Sequence, residues 1–181
     1  LVGSEMCIRD RCNRVADLSG LCLELGKLLE VDEKARSLGV FVAYTIAWCS
    51  DNFSSKNDPL GEDVEKLLEF VKGRYRVETL KEDPVVRCYR KFYWRIGIDP
   101  TKTRPSSEAL VRRCLRGSFP RINPVVDAGN IASAETMIPI GLYDLSRAKP
   151  PFKITLSRGG EVFKPIGGEP ETLEEGLPIL L

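Results

Sequence analysis

The chain has no histidine in 181 residues. That absence removes Ser-His-Asp and Cys-His catalysis, together with the one side chain whose ordinary pKa lies near neutrality. Any acid–base chemistry falls to carboxylates, Lys, Cys, Tyr or a bound partner. CxxC pairs are also missing: the six cysteines stand at positions 7, 12, 22, 49, 88 and 114. Without a pair and without histidine they make no zinc pattern, so neither a metal nor a cofactor is expected. They read as reduced thiols of a cytoplasmic protein. Long hydrophobic runs are absent too. The longest, residues 40–48, is too short to span a bilayer, and the first thirty residues mix Arg, Asp and Glu with short apolar runs rather than forming a secretory signal.

Acids are scarce in one place. Residues 87–121 carry ten Lys or Arg against only Asp99 and Glu108, a local net of +8 in a chain whose total is +1. The remainder must then sit near −7, so the positive charge is concentrated rather than dispersed. A field gathered this way favours a polyanion, because it raises the local affinity for phosphate counter-charge. The side chains that fit phosphate contact are Arg95, Lys102, Arg104, Arg112, Arg113, Arg116 and Arg121. Tyr89, Phe92, Tyr93 and Trp94 are interleaved with them, and aromatics beside basic residues can stack on unpaired bases. The same pattern also suits a solvated helix face whose aromatics belong to the core.

Length and composition suit a soluble globular chain with one domain. Residues 1–11, LVGSEMCIRDR, resemble translated sequencing-adapter DNA and are set aside as non-native; residues 12–27 are an undecided leader. The apolar close GLPILL reads as a strand cut short by the end of the sequence, as in a truncated frame. Between these ends, residues 39–48 (GVFVAYTIAW) are β-branched and aromatic, which predicts a buried strand. Residues 50–58 form a polar loop. Residues 59–73 place Leu60, Val64, Leu67, Leu68 and Val71 at helical spacing, with Gly73 as the stop. Residues 74–80 read as a short strand or a connector. A helix over 84–97 opens on Pro84 and shows Val85, Cys88, Phe92 and Ile96 as its apolar face, with Arg87, Arg90, Lys91 and Arg95 on or beside the opposite one.

Asp99-Pro100 ends that helix. The next starts at 105–108, where Ser106 or Ser107 can cap and Glu108 sits in the first turn, and it stops at Gly117. Residues 123–135 form another helix after Pro124, weakened at Gly129 by about 1 kcal/mol relative to Ala. Residues 152–156 and 161–163 read as a hairpin around Arg158-Gly159-Gly160. Gly159-Gly160 and Gly167-Gly168 fit neither GxGxxG nor GxxxxGK[ST], so they read as turns. Helices and strands interleave irregularly, and the class is α+β.

The run 122–144, INPVVDAGNIASAETMIPIGLYD, resembles the core of the B3/B4 domain of the phenylalanyl-tRNA synthetase β subunit. The resemblance rests on Asn123, Val125-Val126-Asp127, Asn130, Pro139 and Tyr143-Asp144. The following KITLSRGGEVFKPIGG is similar to that family's next strand pair. The upstream YRKFYWRIGIDPTKTRPSSEALVRRCLRG is closer to stand-alone versions of the domain. The resemblance covers residues 28–181. It implies a layered α+β fold with a mixed β-sandwich and flanking helices, contact with tRNA, and hydrolysis of wrongly esterified aminoacyl-tRNA in trans. Where the family's editing motif has a histidine, this chain has Gly141, and the family's later glutamate would fall past Leu181.

On that basis Asn123, Asp127, Asn130 and Glu135 are candidates to position a water on the ester, and Pro139, Gly141 and Tyr143 candidates to line the pocket. Each has a plainer alternative. Asp127 and Asn130 can instead belong to an internal hydrogen-bond network. Glu135 can be an exposed or capping carboxylate, and Gly141 a turn glycine. A nucleophilic Cys88 or Cys114 without histidine is not expected. The functional readings are an editing hydrolase, a non-catalytic module for tRNA or an amino-acid-like small molecule, and a structural interaction domain; no membrane partner is expected.

Overall fold

The computed structural model describes residues 28–47, 59–165 and 168–181. The adapter-like segment 1–11, the leader 12–27, the polar loop 50–58, Gly167 and the cysteines at 7, 12, 22 and 49 lie outside the described residues. The described residues divide into two compact units: 28–47 with those from 143 onward, and 59–142.

The second unit is helical. Helix α2 (Gly61–Arg74) buries Val64, Leu67 and Val71, the i, i+3, i+7 stripe that its periodicity predicts. It runs one residue past Gly73 and ends where Tyr75 turns extended, its amide donating to Val71 O. Of the strand or connector expected at 74–80 the structure takes the connector, coil and turn after α2, which leads into a 3-10 turn (Leu80–Glu82). Helix α3 (Pro84–Arg95) begins at Asp83, whose carboxylate accepts the Val85 and Val86 amides, with Pro84 in the first turn where its missing N–H costs nothing.

Helix α4 (Ser106–Leu115) has Pro105 at its cap and no side-chain cap bond. The expected Ser caps therefore lie inside the first turn, and Ser107 is buried there. Helix α5 (Pro124–Thr136) is capped by Asn123 and closes on Met137 in the left-handed region, φ 61°. A non-glycine residue accepts that conformation only at a cost, and here the Met137 side chain is buried in the core. The core joins Leu67, Val71, Leu80, Val86, Leu110, Val111, Cys114, Ala134 and Met137 from all four helices and the 3-10 turn. Each fully buried aliphatic side chain contributes about 1.5–3 kcal/mol.

One face is corrected. Helix α3 does not bury Val85, Cys88 and Phe92. It buries Val86 and Tyr93, while Val85 and Cys88 are exposed. Two stripes of similar spacing compete on this helix. The one that wins also turns Arg90 inward, onto a buried carboxylate.

The first unit holds the β-structure. Strand β1 (Leu29–Val31) leads through the Asp32 cap into the short α1 (Glu33–Ser37). Asp32 accepts the Ala35 amide at 2.8 Å and the Thr155 hydroxyl. These bonds, Thr155 first, hold its carboxyl below the ordinary range. Strand β2 (Phe152–Arg158) is central, parallel to β1 and antiparallel to β5 (Glu175–Leu180). Strands β3 (Val162–Phe163) and β4 (Glu171–Thr172) form a separate two-stranded ribbon.

The α+β expectation is met, and among the described residues the β-structure is this three-stranded mixed sheet and ribbon rather than a full sandwich. Two strand expectations are overturned. The described part of 39–48 is not a strand, and Phe41 and Tyr44 are exposed. The segments 152–158 and 162–163 do not pair with each other, because Gly159 and Gly160, at φ 83° and 90°, carry the chain away to β4. A β-rich composition suits a pleated surface only where neighbours exist to cover it.

Candidate functional site

The basic segment sorts into two groups once it is folded. Glu108, in the first turn of α4, has a side chain only 1% exposed, and two guanidiniums close on it. Arg90 of α3 donates Nε to Oε2 at 2.9 Å and Nη2 to Oε1 at 2.7 Å. Arg112, one turn along α4, donates Nε to Oε1 at 2.8 Å and reaches Val77 O at 3.4 Å. Burial pushes the Glu108 carboxyl up, but the two arginines outweigh it and hold the group below its ordinary value; the pairing raises Arg90. This triad locks α3 against α4. A carboxylate and arginine four apart on a helix are visible in sequence. Arg90, eighteen residues earlier, carries no local sign of the pairing.

Arg121 is also engaged. Its Nε donates to Asp127 Oδ2 at 3.0 Å, while the Ile122 amide donates to Asp127 Oδ1 at 2.8 Å. Asp127 is buried, so both its oxygens serve to bind the segment entering α5 to the first turn of that helix. Asn123 stands at the same helix end, its Oδ1 accepting the Val125 and Val126 amides at 3.1 and 3.0 Å.

The other candidates spread along α5 and beyond. Asn130 is half-buried one turn on, and Glu135 is exposed in the last turn. Eight residues of helix separate Glu135 from Asp127, about 12 Å along the axis, so the two carboxylates do not converge. Pro139 is half-buried and Gly141 exposed in the irregular segment after Met137. That segment folds back on α5: a Cβ built on Gly129 would stand 2.8 Å from Leu142 Cδ1. The glycine that weakens the helix is the space into which Leu142 packs. Tyr143 belongs to the other unit, where it is half-buried with its ring centroid 6.0 Å from that of Phe152; burial pushes its hydroxyl pKa up.

The remaining cations face solvent. Lys102 and Arg104 are exposed in the loop before α4, and Arg113 and Arg116 are exposed at its far end. Ten helical residues span about 15 Å between the two pairs. Arg95 is exposed and lies over the Phe92 ring at 5.3 Å. Arg87 and Lys91, outside the first set of candidates, are exposed on α3, where with Pro84 and Cys88 they line an open depression of about 270 Å³. Among the described residues no group of three or more Cys, Asp or Glu side chains is placed to hold a metal ion. No described helix is long and apolar enough to cross a membrane.

The family model of the B3/4 domain matches residues 88–181, just over half of the chain. The chain belongs to the B3/4 domain family. No curated protein and no solved structure matches it. The B3/4 match takes in most of α3, all of α4 and α5, and the strands β2 to β5, so the Glu108 triad and the Asp127 network both lie inside it.

Proposed function

We propose that this B3/4 chain is an RNA-binding module that takes tRNA in the cytoplasm, and that it binds without hydrolysing. The observation that carries this reading is the exposed set Lys102, Arg104, Arg113 and Arg116, placed at both ends of α4. These cations remain exposed after the segment's two acids are accounted for. Glu108 is consumed by Arg90 and Arg112, while Asp99, which accepts the Thr101 amide and hydroxyl, keeps its charge beside Lys102 and offsets only that one cation of the four. An extended array of point charges suits a phosphate backbone better than a small anion.

The hydrolytic reading has less support. Asn123 and Asp127 spend their oxygens on backbone amides and Arg121, and Glu135 stands at the opposite end of α5. A general base needs hydrogen-bond reach to the water that it activates. Arg112 and Arg121 pass from the binding face to the framework, as positioning residues.

The test is filter binding of tRNA to the full chain across a salt series. Four phosphate contacts predict a slope of log K against log salt of about −3 to −4. Arg113→Ala with Arg116→Ala should make the slope about 1.5–2 shallower and leave the circular dichroism melt in place. Binding that ignores salt and both substitutions would refute the reading. Release of amino acid from a panel of aminoacyl-tRNAs above the buffer rate would replace binding alone with the deacylase.

A further inference from the structure

We propose that the outer face of α3 is a platform for an unpaired stretch of RNA, with Trp94 as the stacking surface and Arg87 and Lys91 as phosphate contacts. This rests on the RNA-binding reading and adds which part of the nucleic acid is held, and by which helix. Residues 87, 91 and 94 fall at i, i+4 and i+7, one stripe of the helix. A neighbouring stripe, about a third of a turn round the helix, holds Val86 and Tyr93 in the core, and Arg90, between the two, ties the helix to Glu108, so the exposed stripe is held in a fixed orientation.

Of the four aromatic side chains on α3, Tyr93 is buried and Tyr89 half-buried, and Phe92 is half-buried beneath the Arg95 guanidinium. Trp94 is 59% exposed. A large apolar ring left open to water is the informative kind of exposure.

The charge on this face names the occupant. Helix α3 contains no acidic residue, and the depression at its N-terminal half is flanked by Arg87 and Lys91. Among the described residues neither makes an ion pair. A polyanion supplies the missing charge, and an indole adds something for it only when a base face is free. In a duplex the bases are stacked on each other and present only edges and phosphates; in a single strand each base offers a face. The combination therefore selects single-stranded RNA over duplex.

The experiment uses the full chain with Trp48→Phe, which leaves Trp94 as the sole indole of the two in the sequence. The probes are a 12-nucleotide oligouridylate, a 12-base-pair RNA duplex and polyglutamate, read by indole quenching and filter binding. The expected result is quenching by the single strand, little by the duplex, and none by polyglutamate. Trp94→Ala should weaken single-strand binding about tenfold, as the loss of one base stack requires, while Trp94→Phe should keep most of it. Arg87→Ala with Lys91→Ala should make the single-strand salt slope about 1.4 shallower. If tRNA still binds through Arg113 and Arg116 but none of these α3 variants alters single-strand binding, the platform is refuted and the RNA reading stands. Equal quenching by duplex, or stronger quenching by polyglutamate, would also overturn it, the latter in favour of an acidic protein partner. Absence of binding to any RNA would remove both.

Discussion

Replacing Glu108 by Gln should destabilise the protein more than any exposed substitution in the basic segment. The change keeps the side chain's shape and removes its charge. Arg90 and Arg112 would then face a neutral amide, one of whose ends is a donor like themselves. Removing one member of a buried ion pair costs about 3–5 kcal/mol, because the charge left behind is uncompensated. Here the two arginine side chains are 19% and 15% exposed, and Arg112 keeps its long contact to Val77 O. Partial access to water places the expected loss at the lower end, about 3 kcal/mol. For a chain of this length that is roughly a 6–12 °C fall in Tm.

Urea unfolding at pH 7, followed by circular dichroism, should show the midpoint moving down. The pH dependence supplies an independent check. The Glu108 carboxyl is held below its ordinary value of 4.5, so its stabilisation is present above that pH and is lost as pH falls through the folded-state value. The gap between wild type and Glu108→Gln should therefore begin to narrow as pH falls below 4.5 and keep narrowing as pH falls further. Replacing the whole triad, as Arg90→Met, Glu108→Leu and Arg112→Met, should cost far less than Glu108→Gln, since no stranded charge remains. A Glu108→Gln protein within 1 kcal/mol of wild type at pH 7, or a gap that does not change between pH 7 and pH 3, would refute the argument.

Three further outcomes follow from the same geometry. Asp127→Asn should cost only about 1 kcal/mol in urea unfolding, because Arg121 is part-exposed and an Asn oxygen still accepts the Ile122 amide; tRNA affinity should stay within twofold, and a tenfold loss would return Asp127 to the ligand site. Asn123→Ala should lower stability by about 1 kcal/mol, the worth of a helix cap, with thermal melting as the check. Gly129→Ala should not deliver the roughly 1 kcal/mol that its helix position promises, because its methyl would press on Leu142. In a Leu142→Ala background the same change should stabilise by about that amount, and a double-mutant cycle measures the difference.

The helices were legible because their boundaries are written in local chemistry. Asp83-Pro84 and Asn123-Pro124 each combine a side-chain acceptor for the first free amides with a residue that lacks one, and the structure starts α3 and α5 there. The stripe on α2 is unambiguous because Val64, Leu67 and Val71 have no rival set. The motif around Asn123 and Asp127 was equally visible, and it carried the family resemblance. Its role was not visible, since a polar pair at that spacing suits a ligand site and an internal network alike.

What failed had a common cause. Helix α3 offers two apolar stripes, and Glu108, on another helix, decides between them by drawing Arg90 inward. The strand partners of β2 lie more than a hundred residues before it, in β1, and on the far side of the ribbon, in β5. The hairpin expectation followed proximity in sequence, but two glycines at positive φ redirect the chain.

By itself the sequence determined the class, the helix limits, the concentration of positive charge and the absence of histidine chemistry, because each of these depends on residue type or on spacing within a few turns. Only the tertiary structure decided which arginines are spent on carboxylates and which remain for a partner. That division depends on distances between side chains eighteen or more residues apart, and on a burial that no single helix can impose.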